Sequence, residues 1–203
     1  IAQEQVYNWK EQASEEHNQY IHDIMIQVQY MTDTIPDFQD CIMPSRKETL
    51  FEIGEAINTM LKIINHNIKY NYIDVEIENQ KRQSLKVSGY RNELMQTLLN
   101  IINNAKDQIR ERRLNKIIKR GKIKIKMYHD SGKIFVEISD NGGGIAPEKL
   151  DKIFDAYFTT KEHGHGIGLY MSKLIIEDKM HGEISAHNIE EGACFTIILD
   201  HIQ

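Results

Sequence analysis

ISDNGGGI, residues 138–145, closes an alternating apolar run on a carboxylate and then breaks into three successive glycines. The alternation in KIFVEISD (133–140) predicts a half-buried strand, and that strand ends on Asp140. A carboxylate fixed at a strand end can accept a hydrogen bond from an exocyclic amine such as that of adenine. Glycines beside it let a ligand approach the backbone closely. Taken alone, the stretch reads equally as a glycine-rich turn with an aspartate cap.

Upstream, KIKIKMYHD (122–130) is a second alternating strand, joined to the first through the hairpin turn Asp130-Ser131-Gly132. Before it, ELMQTLLNIINNAKDQIRERR (93–113) has helical spacing. Within it Asn100 and Asn104 lie four apart and share one helix face. Their carbonyl oxygens suit Mg²⁺, which takes few protein ligands and completes its shell with phosphates and waters. Two asparagines on a helix are by themselves more often decoration. Downstream, KEHGHGIGLYMSK (161–173) places Gly164, Gly166 and Gly168 at every second position before an amphipathic run. Free backbone N–H groups and the positive end of a helix starting near Ile167 would suit an anion such as a triphosphate. The spacing differs from the Rossmann and Walker patterns, and a lone GxGxG is weak.

Further helical spacing in 54–68, alternation in IDVEIE (73–78), a helix over 167–179 and a last hairpin from GEISAHN and ACFTIILD complete the pattern. The predicted fold class is α+β, a two-layer sandwich in which helices cover one face of a mixed sheet.

A different period governs the first part. Ile21, Ile24, Val28, Met31, Ile35, Phe38 and Ile42 recur at spacings of three and four, a heptad seam. Continued weakly through the polar first twenty residues, it predicts a helix of about forty residues that needs partner helices. Pro36 falls inside the seam and predicts a kink. The pattern changes after MPSRKE, which divides the chain into a helix over 1–46 and a domain over 47–203.

The 203 residues are 40% hydrophobic and carry a net charge of −5, with Lys and Arg interspersed among more numerous Asp and Glu. That balance argues against a nucleic-acid partner. Cys41 and Cys194 are far apart, without metal-ligand spacing, and read as core thiols in a reducing compartment. No apolar run approaches the roughly 18 residues that span a bilayer, so no membrane contact is expected within this stretch. The chain opens on Ile1, which suggests a fragment whose remainder holds a sensor or a membrane anchor.

The order of the asparagine helix, D-x-G-x-G, FTTK (158–161) and G-x-G-x-G-L closely resembles the catalytic ATP-binding domain of sensor histidine kinases, within the GHKL (Bergerat-fold) ATPase superfamily. The resemblance covers residues 51–200. It implies ATP and Mg²⁺ as cofactors, Asn104 as the Mg²⁺ ligand with Asn100 its companion, and Asp140 as the adenine reader. Gly142 and Gly144 would form the floor beneath the nucleotide, with Asp107 and Ile145 also at the site. IFDAYFTTKEHGHG (153–166) resembles the ATP lid, anchored by Phe154 and Phe158, with Thr159, Thr160 and Lys161 near the phosphates. Lys161 would supply a catalytic point charge at the γ-phosphate. His163 and His165 read first as solvent-facing lid residues, although His165, with Gly164, Gly166, Ile167, Gly168 and Leu169, falls among the nucleotide-contacting positions. Ile167 and Leu169 are expected to pack the start of the following helix against the sheet.

Hydrolytic members of the superfamily carry Glu one turn before the Mg²⁺ asparagine. Here that position is Asn100, and an amide is no general base. The resemblance therefore implies phosphoryl transfer to a histidine, with relay to a response regulator, in a cytoplasmic homodimer paired through the N-terminal helix. HDIMIQ (22–27) matches an H-D-x-x-x-Q acceptor box, with His22 as acceptor and Asp23 as base. No second helix of matching length follows it, which favours an acceptor upstream of Ile1. The rival readings are a nucleotide-binding pseudokinase or scaffold, and a hydrolytic GHKL ATPase.

Overall fold

The computed structural model describes residues 45, 47–80, 84–161 and 164–202. The chain divides into compact units over 1–40 and 41–203, and every described residue belongs to the second. The heptad helix, Pro36, His22, Asp23, Cys41 and His163 lie outside the described residues.

In chain order the elements are β1 (Thr49–Glu52), α1 (Ile53–Tyr70), β2 (Ile73–Asn79), β3 (Lys86–Gly89), α2 (Arg91–Leu114), β4 (Gly121–Asp130), β5 (Lys133–Asp140), α3 (Pro147–Leu150), α4 (Gly168–Lys173), β6 (Glu183–Asn188) and β7 (Ala193–Asp200). A π-helical turn, Leu174–Lys179, continues α4. Five strands form one sheet in the order β2-β4-β5-β7-β6, while β1 and β3 pair separately. β2 runs parallel to β4, and the other sheet pairs are antiparallel. The sheet is therefore mixed, as its sequence pattern predicts.

Period two sorts the strands. Ile123, Ile125 and Met127 of β4, Ile134, Val136 and Ile138 of β5, and Phe195, Ile197 and Leu199 of β7 are all buried. Against them pack Ile53, Ile57 and Met60 of α1 and Leu94, Leu98, Ile101, Ile102 and Ile109 of α2, in one core cluster. Each such side chain contributes about 1.5–3 kcal/mol through burial. The β4–β5 hairpin turns through Ser131 (φ 50°) and Gly132 (φ 82°), two left-handed residues as a two-residue hairpin loop requires.

Two features depart from the sequence reading. The β1–β3 pair is absent from it, because four-residue strands are too short for alternation to register. The helix predicted over 167–179 changes type at Leu174, where Met180 N–H bonds Ile175 C=O at 3.0 Å, five residues back. Such π-turns recur at functional sites.

Candidate functional site

A cleft of about 480 Å³ opens where the C-terminal end of β5 meets α2, within the range of small-molecule sites. Its residues come from α2 (Asn104, Ala105, Gln108), the β5 end (Asp140, Gly144, Ile145), the segment after α3 (Ile153, Phe158 to Lys161), the 164–169 stretch and β7 (Ala193, Phe195).

Asp140 follows Ile134, Val136 and Ile138 in phase, so the alternation that builds the core also turns its carboxyl toward α2. Its Oδ1 accepts the Gly142 N–H at 2.6 Å. Burial pushes the Asp140 carboxyl above its ordinary value, opposed by the backbone N–H groups of Gly142 and Ala193 and by the Arg112 guanidinium. Asn141 ties the strand end in place. Its Oδ1 accepts Lys122 N–H at 2.8 Å and its Nδ2 donates to Arg120 C=O at 3.1 Å.

The glycine run is clamped from two sides. Arg112 donates to the carbonyls of Asn141 (2.9 Å) and Glu191 (3.1 Å). Asn188 reads the Ile145 backbone twice, accepting its N–H at 2.7 Å and donating to its C=O at 2.6 Å. Gly192 is obligatory for a reason of space, since a Cβ there would strike the Asp140 backbone and stand 2.6 Å from its Oδ1.

On α2, Asn104 and Asp107 face the lid segment. Lys161 Nζ donates to Asn104 Oδ1 at 2.9 Å and to Asp107 Oδ2 at 2.6 Å. A cation thus sits on two hard oxygens, one of them the Asn104 oxygen expected to face Mg²⁺. Asn100 turns elsewhere, its Nδ2 donating to Gly168 C=O at 3.2 Å and reaching Ser172 Oγ at 3.4 Å. Phe154 meets Phe195 edge-on, with centroids 6.3 Å apart, and so ties the start of the 153–166 segment to β7. Gly166 takes φ 65° with a Cβ position only 2.6 Å from Phe158 C=O, so glycine is required there. His165 is exposed and borders the cleft. Leu169 packs on the core as expected, whereas Ile167 does not. It is 42% exposed and faces the cleft, because α4 begins only at Gly168 and leaves Ile167 at the cap.

The cleft therefore gathers Asn104, Asp140, Gly144, Ile145, Phe158, Thr159, Thr160, Lys161, Gly164, His165, Gly166, Ile167, Gly168 and Leu169, while Asp107 enters through Lys161 and Gly142 through Asp140. Gln108, Arg112, Asn188, Gly192, Ala193 and Phe195 escaped the sequence reading. Of these, Gln108 had a signal, four residues beyond Asn104 on the same face.

Residues 89–203 match the family model described as histidine kinase-, DNA gyrase B- and HSP90-like ATPase. The chain belongs to this family. Curated relatives include the two-component sensor PprA of Pseudomonas aeruginosa, 31% identical over 76% of this chain and 17% of PprA. The sensor histidine kinase ZraS of Salmonella typhimurium is 35% identical over 72% of this chain and 30% of its own length. The chain thus spans less than a third of either relative. Among solved structures, the catalytic domain of the histidine kinase ThkA aligns with a TM-score of 0.65 and 30% identity, covering 76% of this chain and 96% of that domain.

Proposed function

We propose that this chain is the kinase core of a sensor histidine kinase, in which the 47–203 domain binds Mg·ATP and donates the γ-phosphoryl group to a histidine. The observation that carries the reading is the half-buried Asp140 carboxylate facing a cleft that also holds the Lys161 ammonium on Asn104 and Asp107. Asp140 accepts the adenine amine, while the Gly142 N–H holds its carboxyl and the bare Cα of Gly192 leaves room for it. Asn104 Oδ1 would be the protein ligand for Mg²⁺, which would supply charge that neutralises the phosphates. Lys161 must leave its two oxygens as the metal nucleotide arrives, and its ammonium then lies free to pair with the γ-phosphate. Asn100 supports transfer over hydrolysis, since its amide is engaged with Gly168 and offers no base.

The relatives' names extend the reading beyond the domain. ThkA was solved in complex with the response regulator TrrA, and that chain is 25% identical to this one. A response regulator as phosphoryl acceptor, homodimerisation through a helix over 1–46 and a cytoplasmic setting belong to this proposal. Among the described residues, no helix is long and apolar enough to cross a membrane. Incubating this chain, and a version extended upstream by about 60 residues, with γ-labelled Mg·ATP tests the acceptor. Acid-labile, base-stable label confined to the extended chain places the histidine upstream, and label lost in His22→Gln places it in HDIMIQ. Nucleotide binding without label on either favours a pseudokinase.

A further inference from the structure

Away from the cleft, one buried carboxylate joins three segments. Glu93, in the first turn of α2, is 4% exposed. Its Oε2 accepts the Ser45 N–H at 3.3 Å, and Ser45 Oγ in turn accepts the Asn92 N–H at 3.3 Å. This reciprocal pair has the logic of a capping box, but its serine lies 48 residues from its glutamate. The other oxygen, Oε1, accepts Lys179 Nζ, and that ammonium also stands 4.1 Å from the centre of the Tyr90 ring.

The partners are placed at telling positions. Ser45 stands where the chain enters the domain, ahead of β1. Glu93 opens the helix that carries Asn104 and Asp107. Lys179 closes the π-turn that continues α4, whose first residues Gly168 and Leu169 line the cleft. A second link, Asn100 to Gly168 and Ser172, joins the same two helices nearer the nucleotide site. Burial pushes the Glu93 carboxyl up, yet Lys179 and Ser45 outweigh it and hold the group below its ordinary value. A charge kept buried in this way is costly to leave unpaired, so a displacement of any one partner is felt by the other two.

We infer that Glu93 and Lys179 are positioning residues that couple the chain entering at Ser45 to both helices of the nucleotide cleft. The inference rests on the proposed nucleotide reading and deepens it by naming what ties the entry of the domain at Ser45 to the site. Occupancy of the cleft tightens the joint, and a pull at Ser45 loosens the cleft. Thermodynamic reciprocity demands that both effects have one magnitude.

Hydrogen exchange of the Ser45 and Asn92 amides in the full chain, with and without saturating Mg·ADP, tests this. Mg·ADP is expected to slow both amides severalfold. Ser45→Ala, and the paired substitution Glu93→Gln with Lys179→Met, are expected to weaken Mg·ADP by about fivefold or more, the lower end of common coupling energies. Lys179→Arg is expected to retain the unaltered affinity. Mg·ADP that binds and slows residues 164–169 while leaving Ser45 and Asn92 unchanged overturns the coupling alone. So does a fall in thermal stability in the variants at constant Mg·ADP affinity, which marks a merely structural role. Absence of Mg·ADP binding to the unaltered chain overturns the nucleotide reading and the coupling with it.

Discussion

Lys161 and Asp107 form an ion pair across the mouth of the cleft, Nζ to Oδ2 at 2.6 Å, although they lie 54 residues apart. Both side chains are about two-fifths exposed, so solvent screening limits the pair to about 1 kcal/mol or less. Lys161→Met is therefore expected to lower thermal stability only slightly while speeding hydrogen exchange of residues 158–161 in the nucleotide-free chain. Exchange and melting measured on the same samples separate the two effects. A large loss of stability with unchanged exchange would contradict this role of the Lys161–Asp107 pair.

Asp140→Asn keeps the shape of the side chain and exchanges the charged acceptor for an amide. A hydrogen bond to a charged group contributes about 1.5–3 kcal/mol, so nucleotide affinity is expected to fall on the order of 100-fold with the fold retained. Calorimetric titration and circular dichroism together check this.

The pH dependence has two opposite signs. Asp140 has a raised folded value, so its own contribution to stability is present at low pH and is lost as pH rises through that value. In the proposed site the nucleotide is read by the carboxylate, so affinity is expected to fall as pH drops through the same raised value, starting above the roughly 3.9 of an ordinary aspartate. Glu93 has a lowered folded value, so its stabilisation is present at neutral pH and is lost as pH falls through that value. Affinity and melting temperature measured across acidic pH are thus expected to diverge, affinity failing first.

Gly192→Ala puts a methyl against Asp140, and overpacking of this kind costs about 1–3 kcal/mol. Nucleotide affinity is expected to fall with it, because the displaced group is the proposed adenine reader. Gly54→Ala is the control. Its Cβ would meet nothing closer than Met127 Sδ at 3.9 Å, and alanine gains up to about 1 kcal/mol in a helix. Opposite shifts in melting temperature are expected from the two substitutions.

Much of this architecture was legible because two periodicities run cleanly through the sequence. Alternation in 122–140 marks β4 and β5 and turns Asp140 toward the cleft, and the hairpin reading of GEISAHN and ACFTIILD marks β6 and β7. Helical spacing marks α1 and α2 to within two residues of their observed starts. What stayed hidden depends on tertiary contact. Gly192 looks like an ordinary turn glycine until β7 brings it against Asp140. Asn188 and Arg112 act on backbone groups 43 and 29 residues away, and no local pattern encodes such partners. Ile167 carries the hydrophobicity of a core residue but falls at a helix cap.

Titration of the full chain with ATP in the presence of Mg²⁺, beside Asp140→Asn under the same conditions, shows whether the nucleotide is held against Asp140. Saturable one-site binding by the unaltered chain, weakened on the order of 100-fold by the substitution, is the predicted result. Equal affinity in the two proteins would contradict the placement of the nucleotide in this cleft.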